Sequence, residues 1–427
     1  MAQIAEFKYY TERRSIKTLP APGVVYIPVI QHLGKPCDSI EVKAGDKVLA
    51  GQRIATAAGQ PFAPVHASVS GTVLAIQPYP HPVLGSCKAI VIENDGRDAV
   101  DAGVRARSAD EINKLGAKEI REIVFNAGIV GMGGASFPTH IKLNPPKKVH
   151  TLIINIAECE PYLTGDSRLT VEKTDQIVAG IGLIGQCLPD LQTVIIAIED
   201  NKPEAIEALR KTVKGTPYTL SVLKTQYPQG GEKQLIKKTL NVEVPRAKLP
   251  FDVGVNVQNV STVFAVYEAV YSGKPLYERV VTVTGRSLAN PANLLCRIGT
   301  PLQELIRYCG PLSAEPAKII IGGPMMGIAQ HTDLVPVIKS TTGVVLLDRK
   351  EARALEESAC IRCGACVREC PMDLAPCLIN QASIHGAWKQ AKELGCLDCI
   401  ECGLCNYVCP ANRQLVQSIK RAKPEAR

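Results

Sequence analysis

Residues 360–371 read CIRCGACVRECP and residues 399–410 read CIECGLCNYVCP. Each stretch is a Cys-x2-Cys-x2-Cys-x3-Cys-Pro run, and this pair decides what the C-terminal part of the chain is. Three thiolates spaced so closely reach three corners of one iron–sulfur cube from a single loop, and the fourth ligand comes from elsewhere. In a two-cluster ferredoxin it comes from the other run. The spacing therefore predicts two [4Fe–4S] clusters. One is assigned to Cys360, Cys363, Cys366 and Cys409, the other to Cys370, Cys399, Cys402 and Cys405. Structural zinc also uses Cys-x2-Cys pairs, but two four-cysteine runs, each closed by proline, fit the cubes better. Between the runs, Ile384, Ala387, Trp388, Ala391 and Leu394 fall at helical spacing, so the module reads as a helical ferredoxin. Cys377 and Cys396 are left over and are read as structural, although Cys396 precedes Cys399 at the spacing of the motif itself.

Ten of the sixteen cysteines lie between Cys360 and Cys409, in a chain of 427 residues. That length predicts two to four domains. A disulfide scaffold is short and secreted, whereas this chain is long and its Met1 start shows no apolar signal segment. The expectation is a reducing, cytosolic setting with thiols serving as metal ligands. No run of about 18 apolar residues occurs, so no membrane-crossing helix is expected. Net charge is +8, and the tail from Arg413 to Arg427 sets five Lys and Arg against one Glu, read as a solvated terminus. Aromatic content of 4%, with no basic stretch interleaved among the rings, argues against nucleic acid as a partner.

Working back from the cysteines, the chain divides into four parts, 1–105, 106–272, 273–345 and 346–427. The first shows short β segments at Val24–Ile27, Ser39–Val42, Gln52–Thr56, Gly71–Gln77 and Ala89–Glu93, broken by turns, which predicts a small β barrel-sandwich. Residues 42–55 (VKAGDKVLAGQRIA) and 64–76 (PVHASVSGTVLAI) resemble the lipoyl and biotinyl carrier fold. Ala57 to Pro64, where a carrier lysine would sit, contains no lysine, so a docking or covering role is expected instead. In the second part Ser108 opens a helical stretch. Strands at Val149–Ile156, Thr193–Ile198 and Tyr218–Lys224 then alternate with helices at Ile177–Cys187, Pro203–Val213 and from Glu232, the pattern of a parallel α/β sheet. Residues 275–340 surround one helix, Pro301–Tyr308, with short strands and predict a small α+β module.

Residues 126–143 (NAGIVGMGGASFPTHIKL) form the second strong feature. Gly128, Gly131, Gly133 and Gly134 let backbone amides approach a phosphate, and Lys142 adds a cation. The loop follows a helix and lacks the third glycine of the dinucleotide fingerprint, so alone it is also compatible with a tight turn. Ligands of α/β sheets sit beyond the carboxyl ends of the strands. Those ends carry Asn155 to Pro161, Glu199 to Asn201, and Tyr227 to Glu232, a concentration of acids and glycines that predicts one site.

Residues 131–143 (GMGGASFPTHIKL), 154–166 (INIAECEPYLTGD), 227–235 (YPQGGEKQL) and 256–262 (NVQNVST) resemble the motifs of the NADH-binding flavoprotein subunit of respiratory complex I. With residues 27–37 (IPVIQHLGKPC), 322–327 (GGPMMG) and the paired cysteine runs, nearly the whole chain is similar to the family of C subunits of the Rnf electron-transport complex. Residues 275–330, with GTPLQELI at 299–306, are similar to the β-grasp soluble-ligand-binding module of both families. The resemblance implies a Rossmann-like α/β flavin domain holding noncovalent FMN through Gly131, Gly133, Gly134, Lys142, Asn155, Glu158, Asn259 and Thr262. It also implies that Phe137, Glu160 and Glu232 receive NADH. Three positions depart from the complex I pattern: Met132 stands for an arginine, Ala157 for an aspartate, and Lys233 for a second acid in a longer loop.

The expectation that follows is a ferredoxin:NAD+ oxidoreductase subunit in which hydride passes between NAD(H) and FMN, and single electrons between FMN and the two clusters. The resemblance places such a subunit peripherally on the cytoplasmic face of the membrane, beside membrane subunits and a ferredoxin-like subunit. Three other readings remain. They are a related cobalamin-reducing flavoprotein, a non-catalytic electron-wiring scaffold, and a biotin or lipoate carrier, which the missing lysine disfavours.

Overall fold

The computed structural model describes residues 4–352 and 355–427. In the N-terminal part, Val24–Pro28, Gly71–His81, Gly85–Asn94 and Lys47–Val48 pair antiparallel in one sheet, and Ser39–Ile40, Arg53–Thr56 and Val65–His66 in a second. Alternate side chains point between the sheets, where Val25, Ile27, Ile54, Val65, Ile90 and Ile92 form the core. The first residues leave this barrel altogether. Lys17–Thr18 pairs in parallel with Leu294 and Leu295 of the β-grasp sheet. Ahead of it, Phe7 stacks on Tyr162 with ring centroids 4.6 Å apart.

The α/β part is a four-stranded parallel sheet in the order 218–223, 193–199, 151–156, 255–259. Both faces of a parallel sheet are covered, so its central strands read as continuous apolar runs. Leu152, Ile154 and Ile156 face the helices Thr174–Gln186 and Val260–Ser272, while Ile153 packs with Leu235, Ile236 and Val257 on the other side. The two helices on the first face approach closely, because a Cβ on Gly180 would lie 2.6 Å from the Val263 carbonyl oxygen. The strand Val255–Asn259 has no counterpart in the sequence reading. It returns beside the first strand and thereby creates the point where strand order reverses, between Thr151–Ile156 and itself.

The β-grasp sheet has six strands, ordered 17–18, 292–297, 278–284, 343–347, 318–321, 328–330. One helix, Leu302–Cys309, packs Leu302, Leu305, Ile306 and Cys309 onto it. In the cysteine-rich module, Pro376–Ile384 and Leu415–Glu425 pack through Ile379, Ala382, Ile419 and Ala422. The single linker helix expected across residues 384–394 is broken. Gly386 has φ +67°, which ends one helix at Ile384, leaves that side chain exposed and starts another at Trp388.

Lys339 joins three of these parts. Its side chain is fully buried, and Nζ donates 2.7 Å hydrogen bonds to the carbonyls of Pro64 in the barrel and Gly128 in the α/β part. Its own amide donates to Gln31 Oε1, and its carbonyl accepts from Arg279. Burial pushes the ammonium down to about 8. Lys339→Met keeps the bulk and leaves two buried carbonyls without their donor, a cost of roughly 2–5 kcal/mol. The expected outcome is a clear fall in the urea midpoint of the full chain; an unchanged midpoint would show that the tie is dispensable.

Candidate flavin crevice and cysteine centres

The glycine loop leaves the helix Ala117–Asn126 and folds back on itself, with Gly131 N–H bonded to the Phe137 carbonyl at 2.9 Å and Val130 bridging Pro138. It runs into a single helical turn, Thr139–Lys142, before the first strand of the sheet, so it does not lead straight into that strand. Gly134 at φ +127° and Ser136 at φ +51° shape the tip. The tip is open where Gly134 stands, since a Cβ there would meet nothing within 4 Å. Among the described residues, the amides from Gly133 to Phe137 make no hydrogen bond within the protein, and the buried Ser136 and Thr139 hydroxyls have no partner. A curved row of free amides with an unsatisfied hydroxyl behind it is the donor set that an anionic phosphate requires.

The opposite wall comes from the strand reversal. Asn155 and Asn259 are direct neighbours in register. Asn259 caps the Val260–Ser272 helix, its Oδ1 accepting from the amides of Ser261 and Thr262. The Thr262 hydroxyl accepts the Met132 amide at 2.8 Å, which fixes the glycine loop to that helix. Asn259 Nδ2 donates to Asp166 at 2.6 Å, and the amides of Asp166 and Ser167 donate to Glu158. Burial, with Asp166 nearby, pushes the Glu158 carboxyl up to about 7. The structure thus brings Gly131, Gly133, Gly134, Asn155, Glu158, Asn259 and Thr262 to one crevice at the topological switch point, where ligands of such sheets bind. Lys142 stands beside it, in an ion pair with Glu232.

Phe137 is partly exposed at the loop. Glu160 turns away from the glycines, with its carboxylate accepting from the amides of Met325 and Met326. The acids at the second strand end are structural. Glu199 is fully buried against Lys202, and Asp200 accepts from Thr225. The expected convergence of three strand ends therefore narrows to two: the loop after the third strand reaches the crevice, with Asn155 Nδ2 donating to the Gly230 carbonyl and Glu232 paired with Lys142, while the second strand end takes no part. An open cleft of about 880 Å³ does occupy the second and third strand ends, lined by Glu6, Cys159, Asn201, Lys224, Tyr227 and Tyr407 among others. Sequence reasoning missed Lys8, whose Nζ donates to the carbonyls of Glu158, Glu160 and Leu163 and so shapes the loop beneath both expected ligand sites. Nothing in its sequence neighbourhood marks it, since its partners lie about 150 residues away.

In the cysteine module, Cys370, Cys399, Cys402 and Cys405 line one small apolar cavity with Pro371 and Ile419. No three donors among the described residues are drawn together tightly enough for a single ion; these four surround a space instead. Burial and the neighbouring thiols push Cys402 up to about 12. Four thiolates gathered around one space need a strongly cationic guest, so the donor chemistry fits a cluster. Cys366 packs with Cys409, Cys377 and Cys405, while Cys360 and Cys363 stand exposed. Cys377, read as structural, has its thiol against Cys366. Arg362 and Glu401 adopt φ +56° and +59°, and Gly364 and Gly403 φ +74° and +80°, so the two runs share one backbone form. The two sites are joined: the Tyr227 hydroxyl donates to the Cys402 carbonyl at 2.7 Å, and Gln234 reaches Met372.

A crevice shaped for a flavin phosphate, bonded through one loop to a cysteine cavity, defines an electron-transfer flavo-iron–sulfur protein. Family profiles agree in order along the chain: an RnfC barrel sandwich hybrid domain at 2–97, the Nuo51 FMN-binding domain at 124–268, an SLBB domain at 280–329 and a 4Fe-4S binding domain at 354–374. The chain belongs to the family of C subunits of ion-translocating ferredoxin:NAD+ oxidoreductases, the Rnf complexes. It is 46% identical over 98% of its length to the C subunit of the proton-translocating ferredoxin:NAD(+) oxidoreductase complex of Clostridium ljungdahlii, 92% of which is covered. It is 44% identical over 95% of its length to the C subunit of the Na(+)-translocating complex of Acetobacterium woodii, 91% of which is covered. Two structures of an NAD+-reducing [NiFe]-hydrogenase share the fold at TM-scores of 0.50 and 0.51 and 17% and 18% identity. Each matches 75% of this chain, and 65% and 68% of the hydrogenase chains are covered.

Two outcomes test this geometry. Cys370→Ser is expected to remove the cluster of the second run, not the first, leaving about four of eight irons and one paramagnetic species on reduction. Loss of the other cluster would reverse the crossed assignment. Thr262→Val leaves the Met132 amide without its acceptor, a cost of about 1–3 kcal/mol, and is expected to weaken FMN binding by about tenfold or more in a fluorescence titration.

Proposed function

We propose that the chain is the NAD(H)-reactive, peripheral subunit of a membrane-bound, ion-translocating ferredoxin:NAD+ oxidoreductase, built from modules at 1–105, 106–272, 273–345 and 346–427. The observation that carries this reading is the direct bond between the two sites, Tyr227 on the crevice loop to Cys402 in the cysteine cavity. When bound, FMN supplies exchange of a hydride with a nicotinamide on one side and of single electrons with iron–sulfur clusters on the other. The free amides from Gly133 to Phe137 and the Ser136 hydroxyl hold its phosphate, while Asn155, Asn259, Thr262 and Glu158 frame the crevice. Phe137 and Glu232 stand at its mouth for the dinucleotide.

The protein's own residues arrange the rest. Gly230 lets the 227–232 loop lie against residues 157–159, where a Cβ would come 2.5 Å from the Ala157 carbonyl oxygen. That contact sets the Cys399–Cys405 site as the centre nearest the crevice. In the other set, Cys360 and Cys363 are exposed, beside the exposed Ile361 and Val367, while Cys366 is buried. This set is the natural exit toward a ferredoxin-like subunit. No helix among the described residues is long and apolar enough to cross a membrane. In the proposed complex, ion translocation belongs to membrane partners and this chain sits on their cytoplasmic face.

Anaerobic reconstitution with iron, sulfide and FMN is expected to give about eight irons per chain, bound FMN, and bleaching of the flavin by NADH followed by cluster reduction. A preparation that binds no FMN, or whose flavin NADH leaves oxidised, would make the chain a wiring scaffold. Rapid oxidation by added cobalamin would move it to the cobalamin-reducing class.

A further inference from the structure

The Gly322–Gly327 turn, GGPMMG, joins the strands Lys318–Ile321 and Ile328–Gln330 of the β-grasp sheet. A hairpin connection explains two of its glycines. Gly322 has φ +92°, and Gly327 packs so closely that a Cβ would lie 2.3 Å from the Gly323 carbonyl oxygen. Gly323 is different, because its backbone is not left-handed. What its missing side chain makes room for is the Glu160 carboxylate: a Cβ there would sit 2.0 Å from Oε2. Two residues further on, the Met325 and Met326 amides donate to the two carboxylate oxygens at 3.1 and 2.8 Å, and the Tyr227 hydroxyl approaches Oε1 at 3.4 Å. The turn is a backbone cradle for an anion, and the anion is supplied by the α/β part.

The same turn touches the cysteine loop. Gly403, at φ +80°, passes so near that a Cβ would lie 2.8 Å from the Met325 carbonyl oxygen. The Met325 side chain packs against the cluster of Tyr227, Cys402 and Leu404. Three modules therefore meet at this turn.

We propose that the Gly322–Gly327 turn is a latch that binds Glu160, and that Glu160 acts as a positioning residue holding the Cys399–Cys405 loop against the flavin crevice. The proposal rests on the flavin-to-cluster reading above. It changes the role that family resemblance implies for Glu160: its carboxylate is engaged by protein amides, and dinucleotide contact falls to Phe137 and Glu232. Burial pushes the Glu160 carboxyl up to about 7, while the two amides favour its ionised form, to which they bond about twice as strongly as to a neutral one; together they set how often the three modules are in register.

The test uses the full chain, reconstituted anaerobically with iron, sulfide and FMN. Hydrogen exchange is followed in the peptide spanning residues 322–327, in the parent and in Glu160→Gln. The Met325 and Met326 amides are expected to be protected in the parent and to exchange faster in the variant. Gly323→Ala, which expels the carboxylate without altering any side chain at the crevice, is then mixed with NADH in stopped flow. Flavin bleaching is expected at the parental rate, and cluster reduction about tenfold slower or more, the scale of one charge-assisted hydrogen bond. Unprotected amides in the parent, protection unchanged in Glu160→Gln, or parental cluster reduction in Gly323→Ala would each overturn the latch. Slowed bleaching in Glu160→Gln with the turn still protected would return Glu160 to the dinucleotide site. Should NADH fail to bleach the parent flavin, the proposed function falls, while the exchange comparison needs no substrate and still decides the latch.

Discussion

The buried ammonium of Lys339 is the constraint on which the arrangement of modules depends. Irregular loops from different modules meet with their carbonyls facing inward, and a buried carbonyl without a donor costs as much as a lost hydrogen bond. A strand or helix satisfies carbonyls along its own regular ladder, not those of two irregular loops at one point. A lysine can, because one ammonium carries three donors on a long stem. Gly128 completes the arrangement: at φ +65° it bends the chain into the glycine loop, and a Cβ there would come 2.8 Å from Nζ and 2.3 Å from the Pro64 carbonyl oxygen. The barrel, the β-grasp module and the start of the flavin crevice are thus fixed by one side chain. Its charge also reaches His32 and His66 nearby. Burial first, and Lys339 second, hold His32 down at about 4 and His66 at about 3. Both rings stay neutral near pH 7 and act as hydrogen-bonding core residues.

Lys8 repeats the device on the other side of the crevice. Its three carbonyl partners lie in the Glu158–Leu163 segment, so the N-terminal strap holds the loop that leaves the first strand of the sheet. Burial is the largest influence on its ammonium and pulls its pKa down, with Lys202 adding to the effect. The cost of burying two lysines is offset by satisfying five carbonyls between them. From these anchors the hydrogen bonds run inward through Glu158, Asp166, Asn259 and Thr262 to the Met132 amide. The glycine loop, a permissive stretch of backbone, is in this way restrained from outside at Met132.

Local signals in the sequence carried much of this, and non-local ones did not. Ligand spacing in the cysteine runs is a property of a dozen consecutive residues, so it was readable, as were the glycine loop and the strands whose apolar runs are long. Val255–Asn259 was not, because Asn256 and Gln258 interrupt its apolar pattern and are buried in the sheet. Without that strand the reversal point is invisible, and acids at the wrong strand ends look equivalent to the right ones. Lys17–Thr18 pairs with residues 277 positions away, and no two-residue segment announces such a partner. Lys339 and Lys8 look in sequence like surface cations. Their burial is decided by carbonyls that only the tertiary fold collects. The linker helix failed for a local reason of another kind: apolar spacing continues through Gly386, but the backbone there turns left-handed.

The division of labour between the two centres follows from how they are held. A hydride donor and acceptor must stack, so a crevice for them needs walls fixed in orientation, and here the walls are adjacent strand ends in register plus a capped helix. Electrons passing to a cluster need only closeness, so the second junction can be a set of loops, provided the loops do not drift apart. Tyr227 to Cys402, Gln234 to Met372, and Ile400 against Gly231 are contacts of that kind. Each is small, and none lies within a sheet or helix shared by the two modules. Fixing them falls to elements outside both centres: the β-grasp turn that touches Glu160 and Gly403, and the lysines that fasten the barrel and the strap. The barrel and β-grasp modules contribute no cluster cysteine and none of the crevice residues; what they supply is the Lys339 junction at the start of the glycine loop and the turn that meets both Glu160 and Gly403.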